Sequence, residues 1–174
     1  MSPQVRKILR AAALLIVLST VQLLLGRFLA IGGVTPDLPL IGLLFIGHRL
    51  GRLPATILGF GAGLLVDLAS GEVVGILAFA KTLTGFGSGL LYDEERTEPF
   101  GRLPRFILLS TGLIIFHNFA SLLLYFRDVG ADLISTFAQF GLGGAAYSSV
   151  LVLISALFVS RRPRRFDLQR NDNG

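Results

Sequence analysis

Ionisable side chains interrupt the apolar segments of this sequence, and they are the residues that could do chemistry. The stretch GFGAGLLVDLASG carries one carboxylate, Asp67, and the next apolar segment carries Lys81. A later segment contains the adjacent pair His117 and Asn118, and Asp37 stands at the start of an earlier one. A charge removed from water costs free energy unless a partner compensates it. We therefore expect these side chains to meet one another.

The composition indicates where these segments lie. Of the 174 residues, 52% are hydrophobic and 16% are charged, whereas a soluble domain has about a quarter of its residues charged. The charges form short clusters between long apolar runs, which is typical of a membrane protein with several spans. The basic residues fall at the edges of these runs, as in membrane topology, so we reject a nucleic-acid partner despite the pI of about 10.4. The absence of cysteine excludes disulfides and thiolate chemistry.

The sequence predicts an all-α fold of six transmembrane helices. The first segment begins like a signal peptide, but its apolar run continues without a cleavage site, so we interpret it as a span. The predicted spans are Ile8–Ala30, Pro36–Leu50, Leu53–Ala69, Val73–Leu91, Pro104–Phe126 and Asp132–Val159. Residues 1–160 form one transmembrane domain, and 161–174 form a basic cytoplasmic tail that we expect to be disordered. Thr35, Pro36 and Asp37 are predicted as the N-cap and first two residues of the second helix.

The second span is short, at 15 residues, and a re-entrant hairpin is the alternative. Basic residues favour six crossings with both termini in the cytoplasm. In that topology only Arg27 and Arg127 lie outside and Lys81 lies within the membrane, while the other 13 of the 16 Lys and Arg residues lie inside. We also expect the 127–132 loop to be periplasmic and the 92–105 loop to be cytoplasmic.

Glycines at helical spacing predict close packing of the third and fourth helices. Gly59, Gly63 and Asp67 are four residues apart and share one face of the third helix. Gly85 and Gly89 have the same spacing on the fourth helix. Small residues let two membrane helices approach closely. Close packing explains these glycines without any further role.

Depth predicts which polar side chains form a cluster. Lys81 lies ~12 Å into the fourth helix, and His117 with Asn118 lies ~18 Å into the fifth from the opposite side, so their depths nearly meet. We predict an intramembrane polar cluster of Asp67, Lys81, His117, Asn118 and Asp37. Gln22 and Gln139 are further candidate members.

Asp67 is expected to pair with Lys81, directly or through water. The reason is that it stands near the C-terminal end of its helix, where the helix dipole disfavours an anion. Three roles for the cluster stay open: a structural network, a site for a partner helix or periplasmic segment, and a site that binds a small solute or relays protons.

Enzyme chemistry has little support in the sequence. The residues from Gly75 to Lys81 and Thr82 resemble a phosphate-binding loop, with Ala80 in place of its last glycine. A membrane helix would use the backbone N–H groups that such a loop needs, so we reject this interpretation. The two histidines, His48 and His117, are far apart, and no paired metal ligands appear. The sequence therefore predicts no catalytic residue, no cofactor and no metal.

A set of residues between positions 35 and 91 suggests a family. Pro36 and Asp37 open an apolar helix, a basic turn follows it, and the pattern G-F-x-x-G-L-L-x-D-L-x-S-G runs from Gly59 to Gly71. This arrangement resembles the MreD family, the rod shape-determining membrane proteins of the bacterial elongation machinery. The length, the six spans and the short basic tail agree with the resemblance.

The resemblance implies a non-enzymatic scaffold in the bacterial inner membrane. It would bind MreC and work with MreB, RodA and the elongation-class penicillin-binding protein in lateral peptidoglycan synthesis and rod shape. MreD-like chains are also similar in fold to the substrate-binding subunits of energy-coupling-factor vitamin transporters, so a solute-binding subunit is the alternative. The first helix has Ala11, Ala12 and Ala13 but no alanine four residues later, which disfavours that alternative. A proton-coupled carrier that uses Lys81 and His117 is a third hypothesis, disfavoured because no inverted repeat is evident.

Overall fold

The computed structural model describes residues 2–71, 73–90, 92, 103–125 and 133–160. These residues form six helices and no strand, so the predicted all-α class is confirmed for the described part of the chain. The helix α6 has three continuous parts, of which the middle one is π-helical. The helices are α1 Pro3–Leu29, α2 Leu38–Leu50, α3 Arg52–Ser70, α4 Ile76–Gly89, α5 Leu103–Tyr125, and α6 with the segments Leu133–Thr136, Phe137–Gly141 (π) and Leu142–Ser160.

Four of the described helices are long and apolar enough to cross a membrane: α1, α3, α5 and α6. The chain is therefore a membrane protein by the length and composition of these helices. The helices α2 and α4 have 13 and 14 residues, which gives each a length of about 20 Å. Both are shorter than predicted, since α2 begins two residues later, at Leu38, and α4 begins three residues later, at Ile76, and ends at Gly89 rather than Leu91.

Local backbone chemistry explains these late starts. The N-cap of α2 is Asp37, whose Oδ1 accepts a hydrogen bond of 2.8 Å from the Leu40 N–H, so the prediction of Thr35 as N-cap was wrong. The helix starts after this cap and carries Pro39 at its second position, where a missing N–H costs nothing. The helix α4 starts after Gly75, whose φ of 108° is not helical.

Successive helices alternate in direction. A turn with paired Ile31 and Val34 backbones follows α1, and Gly51, with a φ of 85°, is the one residue between α2 and α3. The central helix is α2, which contacts α1, α3, α4 and α6, while α5 packs between α4 and α6. One apolar cluster joins α1, α2 and α3, and a second joins α2, α5 and α6. Both clusters therefore share α2.

Several predictions lie outside the described residues. They are most of the 92–105 loop, the 127–132 loop, the 161–174 tail, and the predicted span ends Leu91, Phe126 and Asp132.

Candidate functional site

The contact between α3 and α4 positions the site, and glycines allow the two helices to approach this closely. A Cβ atom on Gly63 would lie 2.6 Å from the Ala78 backbone nitrogen, which is a clash with backbone. A Cβ on Gly85 would lie 2.8 Å from the carbonyl carbon of Ala55. The remaining two predicted packing residues are equally crowded, since Gly59 faces the Lys81 backbone and Gly89 faces the Arg52 backbone. The α3–α4 seam is thus a backbone-to-backbone contact that fixes where α4 stands.

Asp67 joins the two helices of this seam by capping the second one. Its side chain is fully buried, and its Oδ2 accepts hydrogen bonds from the N–H groups of Gly75 (2.9 Å) and Ala78 (3.0 Å), while Oδ1 accepts one from Leu77 (3.1 Å). The first N–H groups of a helix have no partner within the helix, and Gly75 has no side chain to supply one. The carboxylate also lies at the positive end of the α4 dipole.

The predicted pairing of Asp67 with Lys81 was therefore wrong. The dipole of the helix that carries Asp67 disfavours an anion there, but the N-terminus of the following helix supplies three backbone donors to the carboxylate. Asp67 consequently has a structural partner of its own.

Lys81 instead belongs to a group that we call the charged hub: Asp37, Lys81 and His117. The Lys81 ammonium, only 1% exposed, forms an ion pair and a hydrogen bond with Oδ2 of Asp37. The His117 Nε2 lies 3.4 Å from the same oxygen, and its side chain is 2% exposed. The Asp37 side chain is 24% exposed, so part of it reaches the surface. The hub joins the N-terminus of α2 to α4 and α5.

Two further helices bind the same end of α2 through its free backbone donors. The Asp37 N–H donates to Ser148 Oγ of α6 (3.2 Å), and the Leu38 N–H donates to Gln22 Oε1 of α1 (3.1 Å). Ser148 is fully enclosed, at 2% exposure. Four helices thus converge on the N-terminus of α2. Sequence analysis missed Ser148, since a serine in an apolar helix gives no signal that separates it from the other serines there.

The other predicted cluster members have different positions. Asn118 follows His117 on α5, but its Nδ2 donates to the Gly141 carbonyl oxygen of the π-helical segment (2.8 Å). A π-helical turn disturbs the regular backbone ladder, and a side-chain donor compensates a carbonyl there. Gln139 is exposed on the same segment. The structure therefore brings together Asp37, Lys81 and His117, with Gln22 beside them.

The charged hub can do two things chemically. It ties helices together, because each charged group meets an opposite or hydrogen-bonding group in a region that excludes water. It also offers the partly exposed Asp37 to a partner or a solute. Within the described ranges, no group of three or more His, Cys, Asp or Glu side chains could hold a metal ion.

The fold and the hub define a class: a helical membrane protein whose short central helix is anchored by a buried ion pair. Comparison of the chain with protein-family models, curated proteins and solved structures gives no match.

Proposed function

We propose that this protein is a non-enzymatic scaffold of a bacterial cytoplasmic membrane that holds a partner in the elongation machinery. The observation that supports this most is the convergence of α1, α4, α5 and α6 on the N-terminus of α2 through Gln22, Lys81, His117 and Ser148. Such a point fixes the relative positions of the helices before any partner arrives. A preorganised surface binds at a lower entropic cost.

The resemblance to the MreD family supplies the partners of the proposal. The residues that carry the resemblance have clear structural roles: Asp37 caps α2 and anchors the hub, Gly59 and Gly63 form the seam, and Asp67 caps α4. The pattern thus describes a fold rather than a reaction centre. MreC is the expected direct partner, within a complex that includes MreB, RodA and the elongation-class penicillin-binding protein.

A topology of six crossings with both termini in the cytoplasm belongs to this proposal. The short helix α2 is buried along most of its length by other helices, so its length need not match the lipid hydrocarbon. A reporter fused after Arg165, which keeps the basic segment 161–165, tests the orientation of the C-terminus. Activity restricted to the periplasmic side would contradict it.

Affinity purification in mild detergent followed by mass spectrometry tests the partner. Recovery of MreC with the tagged chain, and its loss with a hub variant that is still folded, is the expected result. Lys81→Met together with Asp37→Asn is the suitable variant, because it removes both charges of the ion pair. Recovery of an ATPase pair in place of MreC would contradict the scaffold.

The alternative, a solute-binding subunit of an energy-coupling-factor transporter, is favoured by one observation. Asp37 is partly exposed while its partners Lys81 and His117 are buried, so a polar solute could reach the hub at Asp37. A rise in the thermal unfolding midpoint on addition of a vitamin would support this alternative, since a ligand stabilises the state that binds it. An unchanged midpoint across the vitamins would favour the scaffold.

A further inference from the structure

The end of the bundle opposite the hub carries a group of arginines. Because the helices alternate in direction, α1 begins, α2 ends and α3 begins at this end, which we call the basic end. It presents Arg10, Arg49 and Arg52, all exposed. Ala11 of α1, Ile46 of α2 and Ala55 of α3 belong to one apolar cluster. The helix ends that carry the three arginines are therefore packed together.

Among the residues that the structure describes, no carboxylate lies at the basic end. The two described carboxylates, Asp37 and Asp67, lie at the opposite ends of α2 and α3 and are already engaged. Arg6 and Lys7 add two more exposed cations on the first turns of α1. A guanidinium stays charged at any physiological pH, so the described residues of this end carry a lasting positive charge.

Apolar surface adjoins these cations. Leu53 and Ile57 follow Arg52 on α3 and are 72% and 62% exposed, and Leu9 precedes Arg10 on α1 and is 52% exposed. The Arg52 guanidinium carbon lies 5.9 Å from the ring centroid of Phe86 on α4, so this side chain lies along the apolar helix surface. A cation directly above exposed apolar residues matches a molecule with an anionic head and hydrocarbon tails.

We propose that the basic end binds the phosphodiester headgroup of an anionic phospholipid, with its acyl chains along the exposed apolar residues of α1 and α3. A guanidinium donates two parallel hydrogen bonds to phosphate oxygens, so three guanidinium groups on packed helix ends supply several donors for an anionic headgroup. The site is separate from the charged hub. It does not depend on the proposed scaffold role.

Native mass spectrometry of the purified full chain tests this binding. The probe is phosphatidylglycerol added to neutral detergent, with phosphatidylcholine as the neutral lipid and inorganic phosphate as the competitor. Each basic residue contributes about fivefold to the affinity for an anionic lipid surface, so Arg10→Gln with Arg49→Gln and Arg52→Gln should lower the affinity about a hundredfold. Arg27→Gln is the matched control, because Arg27 is exposed at the hub end, and it should retain wild-type binding.

Three results would overturn the proposal. They are equal retention of phosphatidylcholine, unchanged binding of phosphatidylglycerol by the triple variant, and full competition by millimolar inorganic phosphate, which would indicate a small-anion site. If the triple variant does not fold, the wild-type chain still decides the question. Binding of phosphatidylglycerol should weaken as NaCl is raised, since salt screens exposed charges, and binding that salt does not affect would contradict the proposal.

Discussion

The two carboxylates Asp67 and Asp37 are compensated in different ways. Asp67 receives backbone N–H groups that lie 8 to 11 positions later in the chain, all from the start of α4. Asp37 receives an ammonium that lies 44 positions later, and an imidazole from α5. The first arrangement is local to one helix pair. The second requires that most of the bundle is already assembled.

This difference separates two kinds of stability. The α3–α4 pair is held by backbone contact and by N–H donors that exist in any helix N-terminus. Its stability therefore depends on the small size of the glycines and on one acceptor, the Asp67 carboxylate. The charged hub is held by side chains from different helices, and removing one of them leaves another charge without a partner. The hub should therefore respond more strongly to a single substitution that changes charge but not shape.

The largest effect is expected from Asp37→Asn. Asparagine is also a good N-cap residue, so the cap of α2 can persist while the charge that compensates Lys81 disappears. An uncompensated buried charge costs about 3–5 kcal/mol of the free energy of unfolding. Chemical or thermal unfolding in a defined detergent measures the loss.

A double-mutant cycle provides the control for this prediction. Lys81→Met added to Asp37→Asn should recover part of the loss, because the matched removal leaves no unpaired ammonium. If the losses of unfolding free energy were additive in the double variant, Asp37 and Lys81 would not depend on each other. The charged hub would then not differ from the α3–α4 pair in its response to a change of charge.

The second effect concerns space at the seam. Gly63→Leu should destabilise the protein by about 1–3 kcal/mol or more, since its Cβ alone would lie 2.5 Å from the Ala78 Cα. Gly61→Leu is a matched control on the same helix, because a Cβ there meets nothing within 4 Å. Thermal unfolding of the two variants measures the difference. Equal midpoints would show that the seam does not need glycine.

The seam is also the part of the molecule that sequence predicts best. Spacing of four on two neighbouring apolar segments indicates a shared face, and a glycine face in a membrane has few other uses. This contact can be predicted without distant parts of the chain, since Gly63 and Ala78 lie on consecutive helices that one short turn connects. Local periodicity thus sufficed for Gly59, Gly63, Gly85 and Gly89.

The predicted cluster contains all three hub residues, but it also includes Asp67 and Asn118, which have other partners, and its predicted ion pair is wrong. Depth along each helix brought Lys81 and His117 to one level, which needs only the rise per residue. Rotation of each helix about its axis decides which carboxylate faces Lys81, and the sequence does not specify that rotation. Asp67 was therefore predicted as the partner of Lys81, whereas it accepts hydrogen bonds from the free N–H groups of α4, and Lys81 pairs with Asp37.

The third effect tests whether Asp67 acts locally. Asp67→Asn keeps one acceptor oxygen but loses the charge at the α4 N-terminus. Its amide NH2 group replaces the second oxygen and faces backbone N–H groups, so donor then meets donor. We expect a loss of about 1–3 kcal/mol. Hydrogen exchange should speed up at the first amides of α4 alone, whereas Asp37→Asn should speed up exchange in α2, α4 and α5 together. Identical exchange patterns would contradict the distinction between local and bundle-wide compensation.

The smallest effect is expected at Asn118, which adjoins the hub without belonging to it. Asn118→Ala removes one hydrogen bond to the Gly141 carbonyl oxygen, and a single neutral hydrogen bond contributes about 0.5–1.5 kcal/mol. Exchange should change at the π-helical segment of α6, because the substitution leaves the contacts of Asp37 with Lys81 and His117 in place. Gln139→Ala, on the exposed side of that segment, is the control and should have less effect still. A loss as large as that of Asp37→Asn would mean that the charged hub extends to Asn118, and that the two adjacent residues of α5 act as one unit.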